Sequence, residues 1–285
     1  MLEAFYATER GSLEDATING SFDLHPELVW IDLIAPSQEE QQWVFDAYER
    51  NLPTLKSLED ISSSARFYRD DDGILHISTY FLTKNKNYQV DGDTDESSHM
   101  LATVQTVAFI LHKDRLFTMR GEKLVAFRAF RARARRNDYN MDYKDPTWIL
   151  LGLLEAKLDE LADILEDIHK DLERYSTEVL NNHHRETLLD LDDMITRLAQ
   201  QEDMLGKAQL CLIDLRRVLT FLSRPRALGS HIYDADIREL SEDVRSLVEH
   251  DAFLFQKVRF LLDTTSGFIN TEQNDTIRRF SILPS

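Results

Sequence analysis

The chain has 285 residues, 42% hydrophobic and 29% charged, a composition that supports one large or two modest globular domains with real cores. Nine glycines and six prolines are too few for an all-β or loop-rich fold, and the single Cys211 excludes an intramolecular disulfide and suits a reducing compartment. A formal net charge of -18 repels the phosphate backbone and so excludes nucleic acid as the main partner; it points to divalent cations, basic partners or solubility.

MLEAFYATER at the start lacks a basic region followed by an apolar run, and no window of 18 apolar residues occurs. Neither a signal peptide nor a membrane span is therefore expected within these residues. VWIDLIAP (Val29–Pro36) reads as a buried strand, after which Ser37 and Glu40 form a capping box that starts a helix. SARFYRDDDGILHISTYFL predicts a hairpin with an acidic turn, and TVQTVAFILHKDRLFTMR a second one turning at Lys113–Asp114–Arg115. The segment between them, NKNYQVDGDTDESSH, is a polar loop. LVAFRAFRARARRN is a basic amphipathic stretch: Phe127 and Phe130 pack on the sheet, while Arg128, Arg131, Arg133, Arg135 and Arg136 answer the acidic surplus. Membrane headgroups or RNA are the alternative ligands of such a stretch.

Past Asp145-Pro146 the period changes. Leu150, Leu154, Leu158, Leu161, Leu165, Ile168, Leu172, Tyr175 and Val179 recur at alternating threes and fours, as do positions from Leu191 to Leu222. Such seams predict two packed helices, each roughly 50 Å long, and the short NNHHRE link makes them antiparallel. A third helix follows SRPRALGSH, with the seam Leu240, Val244, Leu247, Leu254, Val258, Leu261 and Phe268 interrupted by Asp251 and Thr265. A helix of that length calls for a partner chain or a membrane at its far end. The expected fold class is α+β and funnel-shaped: an N-terminal α/β sheet domain (1–144), then a long-helix domain (145–285) made of an antiparallel hairpin (147–222) and a C-terminal stalk helix (233–285).

DGDTDE (Asp91–Glu96) begins like a calcium loop, but Glu96 stands where glycine is needed and Ala102 where the bidentate glutamate belongs. Asp70–Gly73 reads as a turn, and the adjacent His183 and His184 lack the further ligands of a zinc site. With no P-loop, GxGxxG or GxSxG motif, the chain is not expected to be an enzyme, so no catalytic residue is assigned. The acidic helix faces are more informative. Glu155, Asp159, Glu160, Asp163, Glu166, Asp167, Asp171 and Glu173 crowd one helix, and Glu239, Glu242 and Asp243 cluster on the third. Two such faces meeting between subunits would be relieved by a hard divalent cation such as magnesium.

The ordered set VWIDLIAP, SLEDISSSARFY, VAFILHKDRLFTMR, AFRAFRARAR, the helical hairpin, FLFQKVRFLLDTTSGFIN and EQNDTIRRFS resembles the cytoplasmic part of the CorA family, closest to its proteobacterial magnesium/cobalt branch. The family's Gly-Met-Asn element and both membrane helices are absent. The first of those helices would begin about where this sequence stops, after Arg278 and Arg279. The resemblance implies a divalent-cation channel domain at the cytoplasmic face of the bacterial inner membrane, pentameric in its full-length form and joined to the membrane by the missing helices. It implies Mg2+ as regulatory and transported ion, with Co2+ or other divalent cations besides. Its implied metal residues are Glu59 and Asp60, Glu239 with Glu242 and Asp243 one turn on, and Glu155. Asn274, Ile277 and Phe280 match the pore-lining positions. The rival readings are a zinc transporter of the same superfamily and a soluble coiled-coil scaffold.

Overall fold

A computed structural model of the chain describes residues 1–16, 28–48, 52–54, 56–57, 66–85, 101–112, 114–137, 141–182, 188–225 and 227–281. The fold is α+β. Among the described residues there are seven strands, β1 (Leu2–Ala7), β2 (Leu13–Ala16), β3 (Leu28–Ile34), β4 (Phe67–Arg69), β5 (Leu75–Asn85), β6 (Leu101–His112) and β7 (Arg115–Arg120). They form one sheet in the order β2-β1-β3-β7-β6-β5-β4. Every neighbouring pair is antiparallel except β3 and β7, which run parallel from Trp30↔Leu116 to Ile34↔Arg120. The helices are α1 (Gln38–Tyr48), α2 (Val125–Arg136), α3 (Pro146–Asn182), α4 (Leu188–Leu222) and α5 (Asp234–Ser281).

Side-chain alternation gives the sheet two apolar faces. One carries Ile31, Leu33, Ala108, Ile110, Phe117 and Met119 against Val44 of α1. The capping box that starts α1 is formed as expected, with Glu40 N–H donating to Ser37 Oγ at 3.2 Å and Ser37 N–H to Glu40 Oε2 at 2.9 Å. The other face carries Phe5, Trp30, Phe81 and Phe109, over which α2 lays Phe127 and Phe130; Trp30 stacks on Phe5 at 4.4 Å and meets Phe130 edge-on at 5.7 Å. The arginines of α2 pair with acids, Arg131 with Glu3, Arg135 with Asp15 and Arg133 with Asp159. Both predicted hairpins are present as β4–β5 and β6–β7. The strands β1 and β2 at the N-terminus are an addition that the sequence reading did not make.

Two buried polar networks tie the sheet together. Asp32 on β3 accepts hydrogen bonds from Thr118 Oγ1 at 2.7 Å and from Arg120 Nη2 at 2.6 Å, while Trp30 Nε1 donates to Thr118 at 2.9 Å. On β5, Thr79 and the backbone N–H of Tyr80 donate to Asp214 of α4, and Lys157 of α3 donates to Thr79 at 2.9 Å. Burial lowers the Lys157 pKa against the pull of Asp214, and burial pushes the neighbouring Cys211 thiol up to about 11. A buried thiol held this high stays protonated at neutral pH.

The chain divides into two compact units, Met1–Glu160 with Leu210–Arg245, and Leu161–Gln209 with Ser246–Ser285. The described residues of the second are all helical. Asp171 meets Gln201 and Glu178 meets Arg197, so α3 and α4 run antiparallel. All nine seam residues predicted for α3 are buried, and on α5 Leu254, Val258 and Leu261 are buried with them. The two predicted interruptions differ in kind. Thr265 satisfies its hydroxyl on the Leu261 carbonyl at 2.8 Å. Asp251 is 0% exposed, neither carboxylate oxygen has a hydrogen-bond partner among the described residues, and burial raises its pKa to about 6.

Candidate metal-binding cleft

The first unit holds an acidic cleft between the start of α3 and the start of α5. Local sequence sets both starts. Asp145 caps α3 through the Thr147 N–H at 2.9 Å, and Pro146 takes the first helical position, where no donor is needed. The same Asp145 accepts the Tyr233 hydroxyl, and Tyr233 packs edge-on against Trp148 at 5.1 Å. The two helix starts are thereby fixed to each other.

The cleft encloses about 280 Å³ over a wall that includes Tyr143, Trp148 and Leu151. Glu155 and Asp159 face it from α3; Asp236, Glu239 and Asp243 face it from α5. Their spacing on α5, three then four residues, keeps the three acids on one stripe. The nearby cation is Arg133 of α2, whose Nη1 lies 2.9 Å from Asp159 and 3.7 Å from Glu155. Burial raises the Glu155 pKa; Arg133 opposes this, while Asp159, Glu239 and Asp236 push it further up. The pocket thus concentrates negative potential that one guanidinium does not cancel.

Of the residues predicted from sequence, Glu155, Glu239 and Asp243 are brought together here. Glu242 lies on α5, exposed, and is not among the residues lining the cleft. Glu59 and Asp60 fall outside the described residues, as do DGDTDE and the His183–His184 pair. Asn274, Ile277 and Phe280 all fall on α5, and Asn274 is exposed. Asp236 was not singled out, although its place three residues before Glu239 and seven before Asp243 is a legible helical signal. Among the described residues no group of three or more His, Cys, Asp or Glu side chains is placed to hold a metal ion. The carboxylates gather around a space without converging on a point. Nor, among the described residues, is any helix long and apolar enough to cross a membrane.

Comparison with known proteins places this architecture. The family model described as CorA-like Mg2+ transporter protein matches residues 26–284. The magnesium transport protein CorA of Escherichia coli (strain K12) is 40% identical over 256 residues, which is 90% of this chain and 75% of that protein. Among solved structures, the complete CorA magnesium transporter from Methanocaldococcus jannaschii aligns with a TM-score of 0.73 at 16% identity, over 99% of this chain and 81% of its own. The soluble domain of CorA from the same organism aligns with a TM-score of 0.68 at 16% identity, over 94% of this chain and 97% of its own. The match over nearly all of the sequence, at this identity, assigns the chain to a family of ion transporters and not of enzymes: it belongs to the CorA-like Mg2+ transporter family.

Proposed function

We propose that this chain is the cytoplasmic, metal-sensing part of a CorA-type channel for Mg2+, carrying Co2+ as well, and that Mg2+ bound between subunits of a homopentamer gates it. The observation that carries the reading is the gathering of Glu155, Asp159, Asp236, Glu239 and Asp243 around one cleft. Family membership supplies the cargo, and the cleft supplies a place where cargo acts as signal.

The physical logic is repulsion held in check. Carboxylates crowded in a partly buried space raise one another's energy, most visibly at Glu155. A hard divalent ion relieves that crowding, keeping several of its own waters and using one or two carboxylates. One chain alone offers a partial ligand set, which a neighbouring copy's Glu59 and Asp60 would complete. High Mg2+ then bridges subunits and holds the closed, symmetric state; low Mg2+ lets the acidic faces part, and α5 transmits that movement to the pore mouth at Asn274, Ile277 and Phe280. The ion acts as a signal only by binding the closed state more tightly than the open one. An all-oxygen ligand set favours Mg2+ over softer metals, and the family match favours this reading over a zinc transporter or a coiled-coil scaffold.

The test is limited proteolysis with and without Mg2+. In the native chain Mg2+ slows cleavage; in the double variant Asp60→Asn, Glu239→Gln that protection falls at least tenfold. Full protection in the double variant would remove these residues from the site.

A further inference from the structure

In the helical unit, His169 of α3 and His250 of α5 meet ring to ring. Nδ1 of the first lies 3.3 Å from Nε2 of the second, with the ring centroids 5.6 Å apart and the planes tilted by 50°. Both side chains are half-exposed, so water reaches the pair. Two imidazole nitrogens bound to one tetrahedral ion, at bonds of 2.0–2.1 Å, stand about 3.3 Å apart. The separation fits a shared ion as well as it fits the N–H···N hydrogen bond that joins the rings without one.

What lies behind the rings favours ligation. The other nitrogen of His169, Nε2, is 3.6 Å from Glu173 Oε1, and Glu173 is itself paired with Lys257 of α5. A carboxylate behind a histidine favours the tautomer with the proton on the far nitrogen, which leaves the near lone pair free. The Phe253 ring stands 6.3 Å from that of His169 and walls one side.

We propose that His169 and His250 form a two-imidazole site for a borderline divalent cation of the Zn2+, Co2+ or Ni2+ class, clipping α3 to α5, with Glu173 as the orienting carboxylate. Water completes the coordination, since no third protein ligand stands within reach among the described residues. On binding, His250 shifts to its Nδ1–H tautomer, so the facing nitrogens are both lone-pair donors. Imidazole suits these ions and not Mg2+, so the clip is chemically orthogonal to the acidic cleft and independent of the gating proposed there.

The test uses the full chain stripped with EDTA. Calorimetric titration with ZnCl2 gives one ion per chain at the histidine pair, CoCl2 produces a nitrogen-ligated visible spectrum, and MgCl2, which enters the acidic cleft, displaces neither ion from the histidines. Saturating Zn2+ raises Tm by about 3 °C. His169→Gln and His250→Gln each abolish the binding, while Glu173→Gln weakens it about tenfold. Glu173 is exposed, so its variant folds as the parent does and keeps the test decisive if a histidine variant does not. A His183→Gln, His184→Gln variant binds as the parent does. Absence of Zn2+ binding, displacement of the bound Zn2+ by Mg2+, binding that survives loss of both proposed ligands, or an unchanged affinity in Glu173→Gln overturns the proposal.

Discussion

Asp251 occupies a place on α5 where the repeat asks for leucine, and it is sealed from water with no hydrogen bond to either oxygen among the described residues. A lone buried carboxylate is tolerated best when neutral, which is why burial raises its pKa from 3.8 to about 6. The folded state then holds this proton more tightly than the unfolded chain does. Stability from the neutral carboxyl is fully present below the unfolded value, is lost as pH rises through about 6 and stays lost at neutral pH. In EDTA-treated protein, Asp251→Leu is expected to stabilise the chain by about 2 kcal/mol near pH 7.5, with a much smaller gain near pH 4.5. Thermal melts of parent and variant at both pH values check this; equal gains at the two would mean that ionisation is not what the site costs. The sequence disclosed Asp251 as a break in an apolar stripe. It did not disclose that the break goes unanswered, because a partner for it would have come from a distant part of the chain.

At the scale of elements, what was legible depended on how many turns repeat a pattern. The seam of α3 recurs over several heptads, so no single exception could hide it. The capping box of α1 was legible for the opposite reason, since its chemistry is local and spans four residues. Ser37→Ala is expected to cost about 1 kcal/mol in urea unfolding, and no loss would mean that the Ser37–Glu40 bonds do not set where α1 begins. Strands β1 and β2 escaped notice on physical grounds. The register of β1 on β3 shifts between Phe5 and Tyr6, so burial along β1 does not alternate, and β2 is only LEDA, half of it acidic. A bulge erases the period by which a strand is read.

At the scale of the whole molecule, the excess of negative charge both keeps the chain soluble and strains its compact form. Moving from low to physiological ionic strength with NaCl is expected to raise Tm, since the Debye length contracts to about 8 Å. MgCl2 at matched ionic strength is expected to raise it further by occupying the acidic cleft. Equal effects of the two salts would reduce the cleft to diffuse screening. The sequence announced the acids but not their meeting, for the cleft depends on Tyr233 and Asp145 fixing two helix starts 88 residues apart.

The parallel contact between β3 and β7 has a consequence for how the sheet comes into being. On one side stand strands from the first 34 residues, and on the other a meander that begins at Phe67, each able to pair locally. Only this ladder joins them, and closing it must bring together stretches some 86 residues apart, the slow kind of contact to form. Asp32, Thr118, Arg120 and Trp30 all sit along that one joint. A slip of one residue would turn the side chains of one strand away from their partners on the other and strand a buried charge. The network therefore acts as a vernier, letting two separately assembled halves dock in one alignment and penalising the near misses.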